Sequence, residues 1–319
     1  MASQSDDVLQ PDRSYLSQKF ARLQFGPHSV VGYSVAGEET VVQCPELGVC
    51  FDVGRAPQFA LTSDVLCISH AHMDHVAGLA YYVSQRYFQG LKPPTILVPE
   101  EIADPVDEML LAWRRIERQA TPYDLVEMRP GQMFRVRKDF GIRAFRTHHG
   151  GPSLGYACVD IRHKLREEFM GKSGPELAKL KDDGVEIQYV KEVPIIAYLG
   201  DTGPGPVWKE PDVVEAKILL TECTFYEDDH RRSAKAGRHM HVADFAGYLP
   251  RLNNEAVVVL HVSRRTGLQR AMRLLRKALG DDAGLLGKVH FLLDHGDARD
   301  AGDAAAGPQA QHHGQEDGG

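Results

Sequence analysis

The sequence predicts an α/β domain in which helices cover buried sheets, and three observations indicate this fold class. Short runs rich in β-branched residues alternate along the chain with segments whose apolar residues recur at helical spacing. Several of the strand-like runs are almost entirely apolar, as is typical of strands that are covered on both faces. Small polar or metal-capable residues follow these runs directly, at the strand ends where α/β proteins place their sites.

The first half of the chain begins with strand patterns separated by turn residues, which predicts a hairpin. The run DVLCIS at 64–69 then predicts a buried strand, and the segment 75–88 has apolar residues at helical spacing. The segment 104–119 predicts an amphipathic helix, because its acidic residues come early and its basic residues late, as the helix dipole favours. The strands expected in this half are 33–37, 40–44, 48–54, 64–69 and 95–100.

The second half continues the pattern with more strands and one further helix. The helix is expected at 266–279, because Leu268, Met272, Leu275 and Leu279 form one apolar stripe. The expected strands are 141–147, 155–161, 193–200, 217–222 and 256–263.

Composition limits the classes of function. The chain of 319 residues is long enough to bury a large core, and its net charge of −7 gives no global attraction to nucleic acid or anionic membrane. No apolar run approaches the roughly 20 residues of a membrane helix, and the polar start is unlike a signal peptide. The five scattered cysteines form no C-x-x-C pair. We therefore expect a cytoplasmic protein with reduced thiols that does not contact a membrane.

The chain is expected to contain one folded domain with a loose segment at each end. Residues 1–18 are polar and form a lead-in, and residues 19–296 carry the strand and helix patterns. Residues 297–319 carry almost nothing to bury and are expected to be disordered.

The segment SHAHMDH, residues 69–75, predicts a metal site. Residues two apart in an extended segment point the same way, so His70 and His72 can hold one ion at the end of a strand. Asp74 and His75 come at the start of the following helix and can hold a second ion. A solvated histidine-rich turn is the alternative, but the density of ligands between a buried strand and a helix favours metal. Imidazole and carboxylate suit zinc, and also iron or manganese.

The remaining ligands are expected from later strand ends. His149, Asp201 and His261 each follow an apolar run, and the carboxylate of Asp201 can bridge two ions. His148 is adjacent to His149, and His261 alone is also compatible with a core histidine. Two ions about 3.5–4 Å apart would activate a water molecule and stabilise the oxygens of a displacement.

These motifs together resemble a known family. HAHMDH (70–75) resembles the signature of the metallo-β-lactamase-fold hydrolases, and FDVG (51–54) resembles their first motif, in which Asp52 orients ligands. Further motifs are similar to those of the ribonuclease Z branch, and the resemblance covers roughly residues 25–280. These motifs are HGGPSLGY (149–156), YLGDT (198–202), LLTECTF (219–225) and LHVSRR (260–265). The resemblance implies a four-layer αββα sandwich, with two internal sheets flanked by helices.

The resemblance also implies the assignment of the site. His70, His72 and His149 would hold one divalent ion, while Asp74, His75 and His261 would hold the other, with Asp201 bridging both. Zinc is expected, with manganese or iron as alternatives. Asp74, Glu222 and His239 would be catalytic. Glu222 lies in TECT, and His239 lies 22 residues before His261. His241 remains an alternative to His239 as the proton donor.

The implied activity is endonucleolytic cleavage of the 3′ ends of precursor tRNA by a metal-activated hydroxide. Members of the branch grip tRNA with an arm and typically form homodimers. The corresponding segment here lies between Asp160 and Val193, and its mixed charges also fit a solvated amphipathic segment. Thr202, Ser263 and Arg264 are candidates for phosphate contacts.

Three other functions remain as alternatives. The first is hydrolysis of a smaller phosphodiester such as a cyclic nucleotide, with a thioester or lactone less favoured. The second is a binding module without catalysis, although such proteins usually lose ligands that are present here. The third is a diiron redox protein, which normally carries a flavin-binding domain that this chain has no room for.

Overall fold

The computed structural model describes residues 20–292, which form two seven-stranded sheets and their helices. The lead-in expected over 1–18 and the tail expected over 297–319 lie outside the described residues. The first sheet contains β1 (Ala21–Phe25), β2 (His28–Val35), β3 (Glu39–Cys44), β4 (Val49–Phe51), β5 (Val65–Cys67), β6 (Thr95–Pro99) and β7 (Asp124–Met128). The second contains β8 (Met133–Arg137), β9 (Phe140–Arg146), β10 (Leu154–Leu165), β11 (Gln188–Tyr198), β12 (Ile218–Glu222), β13 (Ala256–Leu260) and β14 (Val289–Phe291).

Helices connect these strands and cover the outer faces. Within the described residues they are α1 (Met73–Val76), α2 (Leu79–Phe88), α3 (Glu100–Glu117), α4 (Gly174–Asp182), α5 (Pro211–Glu215), α6 (Arg231–Gly237), α7 (Val242–Tyr248), α8 (Leu268–Ala278) and α9 (Ala283–Gly287). None of the helices found between residues 20 and 292 has the length and apolar character needed to cross a membrane.

The two sheets have the same internal plan. In each sheet the first four strands are antiparallel and the last four are parallel, with the middle strand shared, and neighbouring strands follow one another in sequence. Apolar side chains such as Phe51, Tyr156 and Tyr198 fill the space between the sheets. A second apolar layer lies between the first sheet and helices α2 and α3, and a third lies under helices that include α7 and α8. The predicted four-layer αββα sandwich is therefore confirmed.

The prediction of a single helix at 75–88 is wrong, because the structure has two helices there, α1 and α2. Gly78 lies between them, and its N–H donates to the carbonyl of Val53 at 2.9 Å. A Cβ at Gly78 would lie 2.5 Å from the backbone N of Ala56 and 2.6 Å from the oxygen of Val53. Because the loop after β4 approaches this closely, the helix restarts in a new direction and α1 alone carries Asp74 and His75.

Two strands extend further than predicted into the segment between Asp160 and Val193. Strands were expected at 155–161 and 193–200, whereas β10 continues to Leu165 and β11 begins at Gln188. Strands β10 and β11 continue beyond the sheet as a paired ribbon, in which Ile161 to Leu165 face Glu192 to Gln188. Helix α4 lies between the two strands, and Ser173 and Glu176 form a capping box at its start. Most of the segment is exposed, in agreement with the expected solvated segment. It nevertheless has regular secondary structure. We refer to residues 161–192 as the arm.

Candidate metal centre

The side chains predicted as metal ligands converge at one edge of the sandwich, where both sheets end. His70 and His72 follow β5 and His149 follows β9, while Asp201 follows β11 and His261 follows β13. Helix α1 brings in the remaining two residues. The ligand atoms fall into three overlapping groups, each lying within 4.8 Å: His70, His72, His149 and Asp201; Asp74, His75 and His261; Asp201, His239 and His261.

The first group consists of three imidazoles and one carboxylate. The Nε2 of His70 lies 3.0 Å from the Nδ1 of His72, and the Nε2 of His149 lies 3.2 Å from the same atom. The Oδ2 of Asp201 lies 3.8 Å from the Nε2 of His70 and 3.9 Å from the Nε2 of His149. Four potential ligand atoms therefore surround one point.

The second group shares the carboxylate of Asp201. The Oδ2 of Asp74 lies 3.4 Å from the Nε2 of His261 and 3.7 Å from the Nε2 of His75. The Oδ2 of Asp201 lies 3.5 Å and 3.4 Å from the same two nitrogens. Because one oxygen of Asp201 faces both groups, it is placed to bridge them.

Asp52 determines which nitrogen of His70 faces the centre. The hydroxyl of Ser69 donates to the Oδ2 of Asp52 at 2.7 Å, so that hydroxyl accepts from the Nδ1–H of His70 at 3.0 Å. The Nε2 of His70 therefore presents a lone pair to the centre. The Nδ1 of His75 also lies 2.7 Å from the Oδ2 of Asp52, and Tyr198 donates its hydroxyl to that oxygen.

Glu222 orients His261 through a hydroxyl, just as Asp52 orients His70. The hydroxyl of Thr224 donates to Glu222, so it accepts from the Nδ1–H of His261 at 3.0 Å. The Nε2 of His261 then presents a lone pair toward Asp74 and Asp201. Two carboxylate–hydroxyl–imidazole relays, one from each sheet, thus aim histidine lone pairs inward.

The donor set fits divalent cations. Lone pairs of His70 and His261 face ionised carboxylates, and this arrangement is repulsive unless positive charge lies between them. Burial alone would lower the pKa of His75, but the Asp201 and Asp52 carboxylates raise it well above its usual value. Among residues 20–292 the buried Nε2 of His75 finds no hydrogen-bond partner. Nitrogen and oxygen ligands in this ratio suit zinc, iron or manganese.

The carboxylates remain ionised despite their burial. Burial opposes ionisation of Asp201, yet the imidazoles of His261 and His75 hold its pKa well below the usual range. Burial likewise raises the pKa of Asp74, but the neighbouring imidazoles of His261 and His75 outweigh this effect, and the net shift is downward. The backbone N–H of Gly37 donates to the Oδ2 of Asp74 at 2.8 Å and fixes its direction.

The geometry separates His239 from His241. The Nδ1 of His239 lies 2.9 Å from the Oε1 of Glu222 and 3.9 Å from the Oδ2 of Asp201. Burial lowers the pKa of His239, but the Glu222 carboxylate more than reverses this and brings it to about 9. His241 instead begins helix α7, accepting from the N–H of Ala243. Its other ring nitrogen lies 3.0 Å from the carbonyl oxygen of Glu227.

The weaker candidates from the sequence have other partners. The guanidinium of Arg264 pairs with the carboxylate of Glu38. The hydroxyl of Thr202 accepts from the N–H of His148, and its own N–H donates to Glu222 at 2.7 Å. The position of Ser263 is fixed through its N–H, which donates to the carbonyl of Thr224.

Sequence reasoning did not identify Ser69, Thr224 and Tyr198 as supports of the site. A signal was present for two of them. Ser69 directly precedes the first ligand, and TECT places Glu222 and Thr224 two residues apart, on one side of an extended segment.

The chain is similar in sequence to known proteins. The chain matches the family model described as "Beta-lactamase superfamily domain" over residues 54–262. It is 36% identical over 251 residues to "tRNase Z TRZ1" of Arabidopsis thaliana, covering 78% of this chain and 90% of that protein. It is 40% identical over 166 residues to "Nuclear ribonuclease Z" of Triticum aestivum, covering 52% of this chain and 94% of that protein.

Solved structures with low sequence identity share the fold. The metallo-beta-lactamase fold protein YhfI of Bacillus subtilis superposes with a TM-score of 0.59 at 14% identity, over 83% of this chain and 96% of that one. The short form of human tRNase Z, ELAC1, superposes with a TM-score of 0.55 at 17% identity, over 82% and 95%.

The fold, the domain match and the cluster of histidines and aspartates are those of the beta-lactamase superfamily of metal-dependent hydrolases. Within that superfamily the chain belongs to the ribonuclease Z (tRNase Z) family, because relatives more than 30% identical match over most of their length. The resemblance predicted from the motifs is therefore confirmed.

The Thr224 relay generates a prediction. Thr224→Val keeps the volume of the side chain but removes the acceptor for the Nδ1–H of His261, so His261 loses its preferred orientation. We expect metal affinity to fall about 10–100-fold, as when other outer partners of ligating histidines are removed. Competition with a chromogenic chelator would measure this. Thr224→Ser should restore most of the affinity, and a Thr224→Val variant with unchanged affinity would contradict the relay.

Proposed function

We propose that this protein is a metal-dependent endoribonuclease that removes the 3′ extension of precursor tRNA. The observation that carries the proposal is His239, which Glu222 holds beside the shared carboxylate of a site with the ligands for two ions. The named activity of relatives such as tRNase Z TRZ1 agrees with it. Hydrolysis of a smaller phosphodiester, the alternative from the sequence, is less favoured, because the relatives named here are tRNase Z and ribonuclease Z proteins.

Two divalent ions are part of the proposal. His70, His72 and His149 would hold one, Asp74, His75 and His261 would hold the other, and Asp201 would be shared. We propose zinc because imidazole dominates the donor set, with manganese or iron as the competing outcomes of a metal analysis. When bound, such ions polarise the phosphoryl group and lower the pKa of water.

Asp74 and His239 then have separate roles in the reaction. Asp74 is ionised and fixed by Gly37, so it can accept a hydrogen bond from the attacking water and orient it. His239 is protonated near neutral pH, because its pKa is about 9. Glu222 holds its Nδ1–H, which leaves the Nε2–H free to protonate the ribose oxygen that departs.

The arm supplies a second surface for RNA. Lys172, Lys179 and Lys181 are exposed around helix α4, whereas Arg162 and Arg166 are paired with Asp160 and Glu186. The acidic residues of the arm make it unsuited to strong general attraction. We infer that it contacts a limited number of phosphates in the RNA backbone.

A homodimer and a cytoplasmic location complete the proposal. Tyr81 and Phe88 on α2 and Trp113 and Ile116 on α3 are exposed. The hydrogen bond from Ser84 to Glu117 (2.9 Å) joins the two helices. A second copy would cover these apolar side chains, and light scattering would report the mass in solution. The cytoplasmic location is supported by five buried cysteines without disulfide partners.

The first prediction from the proposed function concerns Asp74. Asp74→Ala removes a proposed ligand and the group that orients water. We therefore expect loss of turnover by more than about 1,000-fold and a lower content of bound metal, while circular dichroism remains unchanged. The assay is cleavage of a 3′-extended precursor tRNA beside bis-p-nitrophenyl phosphate, with zinc or manganese.

The wild-type result distinguishes the two substrate classes. Cutting of the tRNA at one position after the acceptor stem supports the proposal. Hydrolysis of the small diester alone would leave the metal site intact and refute the tRNA substrate. Full activity of the Asp74→Ala variant would refute the site itself.

The second prediction separates proton donation from general damage. His239→Ala should reduce tRNA cleavage about 100–10,000-fold, because a ribose alkoxide needs a proton to leave. The loss with bis-p-nitrophenyl phosphate should be much smaller, since nitrophenolate is a stable anion. His241→Ala serves as the matched control, and equal losses with both substrates would contradict the assignment of His239 as the acid.

The third prediction concerns the arm. Replacing Lys172, Lys179 and Lys181 by alanine should weaken binding of precursor tRNA, while turnover of bis-p-nitrophenyl phosphate stays at the wild-type rate. Each lost phosphate contact should reduce the slope of log K against log salt by about 0.7–0.9. Fluorescence anisotropy at several salt concentrations measures both quantities.

The control for the arm is a second triple variant at exposed lysines elsewhere, Lys92, Lys138 and Lys277. It removes the same net charge. If both triple variants change the salt slope equally, the arm has no particular role in binding.

A further inference from the structure

We propose that Arg238 binds a backbone phosphate of the substrate RNA next to the phosphate that is cleaved, an inference that rests on the proposed function. Arg238 directly precedes His239, ends helix α6 and is exposed. Its Nη1 donates to the backbone oxygen of His149 at 2.7 Å. The guanidinium is therefore held at the rim of the metal centre.

Neighbouring loops fix the backbone of Arg238. Its carbonyl oxygen lies 3.5 Å from the Nδ1 of His149, so the two residues contact each other twice. Gly203 packs so closely that a Cβ there would lie 3.2 Å from the carbonyl carbon and oxygen of Arg238. Since Gly203 follows Asp201 by two residues, Arg238 is fixed to the loops that carry two of the proposed ligands.

The charge of Arg238 has no neutralising partner within the described part of the chain. Among residues 20–292 no carboxylate oxygen lies within 4.0 Å of its guanidinium, whereas three arginines of neighbouring segments are paired. Arg55 pairs with Glu39, Arg264 with Glu38, and Arg270 with Glu227. A guanidinium with spare N–H groups matches the paired oxygens of a phosphodiester.

The contact between Arg238 and the backbone of His149 places the guanidinium beside a neighbouring phosphate rather than the reacting one. The guanidinium contacts the backbone end of His149, while the Nε2 at the far end of that imidazole faces the metal centre. His72 and Met73 are exposed, so the centre opens to solvent beside the proposed ligands. A chain that enters there with one phosphate at the ions passes Arg238 with an adjacent phosphate.

The backbone of Arg238 provides a matched control elsewhere in the protein. Arg238 and Arg118 are both exposed arginines that end a helix in the left-handed region, at φ of 53° and 55°. Glycine is the residue best suited to that conformation. Arg238→Gly and Arg118→Gly therefore each remove one positive charge and the strain of a left-handed backbone. The first change is beside the metal centre, and the second is at the end of α3.

The experiment compares these two variants with the wild type. We expect Arg238→Gly to raise KM for precursor tRNA about 10-fold with kcat within about 3-fold, as loss of one charged hydrogen bond predicts. Turnover of bis-p-nitrophenyl phosphate should not change, because that diester has no second phosphate. The salt slope for binding of precursor tRNA to metal-free protein should become shallower by about 0.7–0.9. Arg118→Gly should match the wild type throughout.

Other outcomes overturn the inference. If Arg238→Gly matches Arg118→Gly in KM and salt slope, Arg238 does not contact RNA. If Arg238→Gly instead lowers metal content and turnover of the small diester, Arg238 only holds His149 in place. A wild-type protein that neither binds nor cleaves precursor tRNA refutes the proposed function and this inference together. Arg238→Lys should keep the salt slope, because the charge remains.

Discussion

The buried carboxylate of Asp201 is the constraint on which the rest of the site depends. An ionised carboxylate without compensating charge is costly in a protein interior, and here five imidazole nitrogens lie within 3.9 Å of one of its oxygens. Those imidazoles come from both sheets and from α1. The edge of the sandwich is therefore arranged around one negative charge that needs cations, and the same need makes this a place where divalent ions would bind.

The shared plan of the two sheets explains how the ligands are aimed. Each sheet carries one carboxylate at this edge: Asp52 follows β4, and Glu222 is the last residue of β12. Each carboxylate accepts a hydrogen bond from a hydroxyl, and that hydroxyl accepts one from a histidine. Hydrogen bonds within the protein thus fix the orientations of the His70 and His261 rings. Glu222 has a second task, because it also holds the Nδ1 of His239. One buried acid therefore connects the metal centre to the proposed proton donor.

The sequence predicted the fold class and the clustering of the ligands because both depend on short-range patterns. Apolar runs marked the buried strands, and polar residues after them marked the edge where the strands end. The break at Gly78 was missed because its cause, the loop at Val53, is distant in sequence. The Asp52 hydrogen bond from Tyr198 spans 146 positions and leaves no local pattern. The order of the arm was missed because mixed charge alone does not distinguish a ribbon from a solvated segment.

The continuity of the arm with the sheet gives the molecule a fixed length scale. Strand β10 begins soon after His149 and β11 ends just before Asp201, so the ribbon and the metal centre share two unbroken strands. The eleven residues of β11 span about 36 Å at roughly 3.3 Å each. If an RNA is bound at the arm and at the metal centre, this span would set the distance between the two contacts. Under the proposed function, the distance from the arm would set the position of cleavage without readout of the bases at the cut.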